Sequence, residues 1–112
     1  MADEATVRAE LRRLASAGRT RTSEFTKECP TEWRPHTVLD PRSGNPFTDA
    51  GAWDYVVEQL DAGCAIGTVV LRKPPGKTGY VLKLPGHPGQ PLIYVKLQLG
   101  SGRVIGRSFH DD

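Results

Sequence analysis

The chain has 112 residues, 38% of them apolar and 25% charged, with a formal net charge of +2. That size fits one domain with a modest core, so residues 1–112 read as a single domain; the composition is not that of a disordered chain, and no apolar run approaches the ~20 residues that cross a bilayer. The opening stretch "MADEATVRAELRRL" is charged and lacks an apolar signal core, so a cytoplasmic location without a membrane partner is expected.

Residues 4–17 read as a helix, because Val7, Leu11 and Leu14 recur at i, i+4 and i+7 and make one apolar stripe. Asp3 and Glu4 lie at its positive N-terminal end, Arg12 and Arg13 nearer its C-terminal end, and Gly18 suits the position just past the last turn. Ser23 or Thr22 can cap a short second helical turn containing Phe25. Residues 30–47 hold four prolines and the turn signal "RSGN" and read as a long ordered loop, pinned to the core by Trp33 and Phe47. Stacking on RNA is the alternative role for Trp33.

Residues 49–62 form the clearest helix, with Thr48 or Asp49 as cap, a stripe of Trp53, Val56, Val57 and Leu60, and Gly63 as terminator. After Gly67 the period changes. "YVLKL", "LIYVKLQL" and "RVIGRSFH" read as strands, with a weaker one over 68–73, separated by "PPGKTG", "PGHPGQ" and "GSG". "PPGKTG" lacks the spacing of a phosphate-binding loop and no helix follows it, so it is a turn. The expected fold is α+β: two N-terminal helices packed on one face of a small C-terminal antiparallel sheet.

Cys29 and Cys64 lie far apart with no CxxC spacing, and His36, His87 and His110 are equally scattered, so reduced thiols and no metal or other cofactor are expected. The small net charge hides an asymmetry. Residues 1–66 carry 8 Lys/Arg against 11 Asp/Glu, whereas residues 67–112 carry 7 Lys/Arg against only Asp111 and Asp112. Such a basic half suits a polyanion, and also suits a merely solvated surface.

The chemistry concentrates in the last hairpin. In a strand neighbours point to opposite faces, so Ile93, Val95, Leu97 and Leu99 face the helices while Tyr94, Lys96 and Gln98 point outward. Phe109 inward puts Ser108 and His110 outward. Counting "GSG" as a three-residue loop pairs Leu99 with Arg103, Tyr94 with Ser108 and Leu92 with His110. Tyr94 and His110 are then diagonal neighbours about 7 Å apart. Arg107 falls inward in this pattern, and Gly106 beside it marks a bulge able to turn it toward the edge. Lys83 on the preceding strand joins the outer face, as does Arg103 or Arg107.

RNA cleavage needs such a set. The 2′-hydroxyl must lose a proton as it attacks the adjacent phosphate, the phosphorane's extra charge needs fixed cations, and the 5′-oxygen needs a proton. His110 can serve as base or acid. Tyr94 can stack on a base or pass a proton, although a phenol of ordinary pKa near ~10 is a poor base unaided. Tyr94, His110, Lys96 and Ser108 are therefore the candidate catalytic residues, and Lys73, Lys83, Arg103 and Arg107 the candidate RNA-binding residues.

"IYVKLQLGSGRVIGRSFH" resembles the C-terminal hairpin of RelE-like messenger-RNA endonuclease toxins, and among them the motility quorum-sensing regulator (MqsR) toxins. Those proteins close on an apolar strand ending in S-F and a catalytic basic residue. Tyr94 and Lys96 match the first strand, and Ser108, Phe109 and His110 match the close, with histidine where lysine is frequent. The resemblance covers about 20 residues and leaves "CPTEWRPHTVLDP" without a counterpart. It implies a RelE/barnase-like fold and the toxin of a type II toxin-antitoxin system: a metal-independent endoribonuclease on free or ribosome-bound mRNA, neutralised by a cognate antitoxin protein. Two other readings use the same residues. The basic face can bind RNA or an acidic protein without chemistry, or an edge strand or the proline-rich loop can bind another chain.

Overall fold

Asp3 accepts the Thr6 backbone N–H at 2.8 Å and thereby starts helix α1, Glu4–Ala15. The computed structural model describes residues 3–112. Val7, Leu11 and Leu14 are buried, as the stripe requires. The helix stops at Ser16, and a 3-10 turn over Gly18–Thr20 leads into a two-residue strand β1, Arg21–Thr22.

The helical turn expected around Phe25 does not form. Thr22 Oγ1 accepts the Glu24 N–H and Thr26 Oγ1 accepts the Cys29 N–H, so local side-chain bonds favour turns over helix. The chain then returns as β2, Glu32–Trp33. Between β2 and the second helix, Asp40 and Arg42 organise the proline-rich loop. Arg42 donates to the Asp40 carboxylate at 2.8 Å, to Glu58 Oε2 at 3.2 Å and to the Gly51 carbonyl at 3.1 Å, tying the loop to the helix. Burial raises the Asp40 carboxyl, but the bonds from Arg42 outweigh it and leave its pKa below the ordinary value.

Helix α2, Asp49–Asp61, is capped by Thr48, whose side chain accepts the Gly51 N–H, and ends before Gly63 at φ +90°. Trp53, Val56 and Leu60 are buried, and Val57 packs at the margin. Arg8 of α1 donates to the Leu60 and Cys64 carbonyls, tying α1 to the C-terminal end of α2.

Four antiparallel strands follow: β3 Gly67–Val70, β4 Thr78–Leu84, β5 Ile93–Gly100 and β6 Arg103–Asp111. The sheet order is β1-β6-β5-β4-β3, with β2 also on β6. β1 and β2 pair with β6 in parallel, so the expected antiparallel sheet gains two short parallel strands on one edge and is mixed. Both helices share one core with the inward residues Leu82, Leu84, Ile93, Val95, Leu97, Val104 and Phe109.

The final hairpin corrects the expected register. Ser101 (φ 55°) and Gly102 (φ 74°) make a two-residue turn, so Gly100 pairs with Arg103 and Leu99 with Val104. A bulge follows. Leu97 pairs with Gly106, but Lys96 pairs with Ser108, leaving Arg107 as the extra residue. Beyond it Tyr94 faces His110, not Ser108. Gly106 is required there, because a Cβ would lie 2.6 Å from the Trp33 ring. That ring stacks on Trp53 at 4.6 Å, leans on Phe109 at 5.2 Å and donates from Nε1 to Asp49, so Trp33 is a core anchor.

Candidate functional site

The helices cover one face of the sheet. On the other, β-strand alternation sets out Lys83, Tyr94, Lys96, Gln98, Ser108 and His110, since each outward residue pairs with another across the ladder. Tyr94 sits at the centre of one row, opposite Lys83 on β4 and His110 on β6. The phenol and imidazole stack, with ring centroids 5.3 Å apart and planes inclined by 16°. Both rings are half-buried.

The backbone selects the imidazole tautomer. His110 Nδ1 lies 2.8 Å from the Asp111 carbonyl oxygen, which can only accept, so Nδ1 carries the hydrogen. In the neutral ring Nε2 is then the basic nitrogen, as a general base requires.

Arg107 follows the inward Gly106 and so reaches the outer face by ordinary alternation, and the bulge then sets Ser108 on that face too. Its Nε donates to the Pro30 carbonyl at 2.8 Å and one terminal nitrogen donates to Gln98 Oε1 at 2.6 Å. Both partners are neutral, and Arg107 is only 6% exposed. A guanidinium keeps its charge inside a protein, so a positive charge with no ion-pair partner among the described residues lies under this face, although Glu32 lines the neighbouring depression. A groove of about 490 Å³ on this face is lined by Tyr94, Lys96, Arg107, Pro30 and residues 69–73, including Arg72 and Lys73. A second depression of about 530 Å³ shares Pro30, Lys96 and Arg107 with it and adds Phe25, Arg34 and Ser108.

The expected site residues divide into three groups. Tyr94, His110, Lys96, Lys73 and Arg107 gather on or beside the groove. Lys83 stands across from Tyr94 but pairs with Asp112 at 3.5 Å, which partly cancels its charge. Ser108 lies on the same face but is only 5% exposed, and Arg103 stands at the hairpin turn, five residues or about 16 Å along the strand from Ser108. Pairwise reading of the hairpin misses Arg72, Pro30, Phe25 and Arg34. They come from segments distant in sequence, and only the parallel pairing of β1 and β2 with β6 brings the 23–31 loop over this face.

Cys29 and Cys64 are free thiols, and burial pushes the Cys64 thiol up in pKa, partly offset by Arg8. Among the described residues no group of three or more His, Cys, Asp or Glu side chains is placed to hold a metal, and no helix is long and apolar enough to cross a membrane. Searches of family models, curated proteins and solved structures return no match to this chain.

Proposed function

We propose that this protein is a metal-independent endoribonuclease that cuts messenger RNA at its outer sheet face, as the toxin of a type II toxin-antitoxin pair. The observation that carries the reading is the Tyr94–His110 stack beside Lys96, above a buried Arg107 whose bonding partners are all neutral. A phosphodiester supplies the anion that this guanidinium lacks. His110 Nε2 takes the 2′-hydroxyl proton, and Lys96 and Arg107 hold the phosphorane oxygens. The Tyr94 hydroxyl delivers a proton to the 5′-oxygen leaving group. Ser108 stands opposite Lys96 on the same face, at the edge of the Phe25 depression, and supports the site.

The toxin assignment and the antitoxin partner rest on the hairpin resemblance, and a cytoplasmic site of action follows from the substrate. Induced expression in a bacterial host tests them together. The wild type arrests growth and leaves new transcript ends, and His110→Ala does neither while staying folded. Equal toxicity from a His110→Ala, Tyr94→Phe double variant would end the proposal.

A second reading has its own support. A tyrosine stacked on a cross-strand partner is an ordinary sheet-stabilising pair, and the same basic groove then binds RNA without cutting it. Intact RNA that shifts with strong salt dependence identifies this outcome.

A further inference from the structure

We infer that the depression at the Phe25 end of the face is a second nucleotide subsite, where Phe25 stacks on a base next to the scissile phosphate and Arg34 holds that nucleotide's phosphate. The inference rests on the RNA-binding reading above and adds a position along the substrate.

Phe25 is 64% exposed, although an apolar ring gains nothing from water. It does not stand alone on the surface. It lines a depression with three cations, Arg34, Lys96 and Arg107, against a single carboxylate, Glu32. An exposed aromatic ring among cations is the arrangement that binds single-stranded nucleic acid: the ring takes a base face and the cations take the backbone.

Position supports the same occupant. The depression shares Lys96 and Arg107 with the groove that holds Tyr94, so one strand can run through both. The Lys96–Ser108 pair lies two residues from the Tyr94–His110 pair, about 7 Å along the strands. That offset suits one nucleotide step of an extended chain. The loop bearing Phe25 is fixed at both ends by β1 and β2 and crossed by a bond from Thr31 Oγ1 to the Ser23 carbonyl at 3.1 Å. The ring is therefore presented on a tethered loop. Having no polar group, it stacks on any base and reads no sequence.

The test is binding of a short, labelled, mixed-sequence oligoribonucleotide carrying 2′-O-methyl groups throughout, which cannot form the attacking oxyanion. Phe25→Ala is expected to weaken binding about 5- to 150-fold, with Phe25→Tyr restoring most of it. Arg34→Gln is expected to weaken binding and lower the salt slope by about one. Circular dichroism should show both variants folded, because both side chains are exposed. Wild-type binding that Phe25→Ala leaves unchanged overturns the subsite and leaves the nuclease proposal standing. Phe25-dependent binding with unmethylated RNA left uncut supports the subsite and defeats the nuclease. No binding by the wild type overturns both and leaves the face to an acidic protein segment.

Discussion

Tyr94 and His110 stack face to face because Arg107 is an extra residue in the last strand. Without the bulge, the register set by the Ser101–Gly102 turn would carry on unbroken and place Tyr94 opposite Phe109. The core residue Phe109 would then turn out of the core toward Tyr94. The bulge keeps Phe109 inside and brings His110 beside Tyr94, while Arg107 stays on the outward side that alternation from Gly106 gives it.

Gly106 is the hinge of that arrangement. Gly106→Ala forces a methyl against the Trp33 ring, 2.6 Å from where the Cβ must sit. The expected cost is about 1–3 kcal/mol, read as a lower urea midpoint. RNA cleavage by the folded fraction should fall as well, because the bulge sets the Tyr94–His110 pairing. Unchanged stability would show that Trp33 moves aside freely.

Arg107 separates function from stability. A buried charge held only by neutral groups contributes little to folding. The double variant Arg107→Met, Gln98→Leu removes the guanidinium and its buried side-chain partner together, leaves the part-buried Pro30 carbonyl to water, and should stay within about 2 kcal/mol of wild-type stability. RNA affinity should fall at least tenfold, checked by titration at fixed salt. A large loss of stability with affinity intact would make Arg107 a structural residue.

Lys83 is partly neutralised by Asp112. Asp112→Asn should free it and raise RNA affinity by up to about fivefold, the scale of an exposed ion pair, with a steeper salt slope. Weaker binding would show that Asp112 supports the site.

Asp40 predicts an acid limb of stability. Its folded pKa lies below the ordinary carboxylate value, so its stabilisation is present above about pH 3.9 and is lost as pH falls through the folded pKa. Asp40→Asn should cost about 1.5–3 kcal/mol at pH 7, and the gap from wild type should close at low pH. Thermal melts across pH check this; a gap that stays constant contradicts it.

Much of the fold is legible in the sequence because its elements are long enough to show a period. Val7, Leu11 and Leu14 mark α1, Trp53, Val56 and Leu60 mark α2, and alternation in β5 separates Tyr94 and Lys96 from Val95 and Leu97. β1 and β2 are not legible, since two residues carry no period and their pairing depends on β6. Counting "GSG" as the turn fails because Gly100 joins the ladder while Ser101 takes the left-handed position. Arg107 on an otherwise inward parity points to the bulge. Its neutral partners, Pro30 and Gln98, and the Phe25 depression appear only once the 23–31 loop is folded over the sheet.

The most direct measurement incubates purified protein with a defined single-stranded RNA in excess chelator and identifies the product ends. The wild type should release 2′,3′-cyclic phosphate and 5′-hydroxyl ends, and His110→Ala should slow this by about 10²- to 10⁴-fold without losing its fold. Uncut RNA with the wild type, or equal cutting by His110→Ala, would contradict the account.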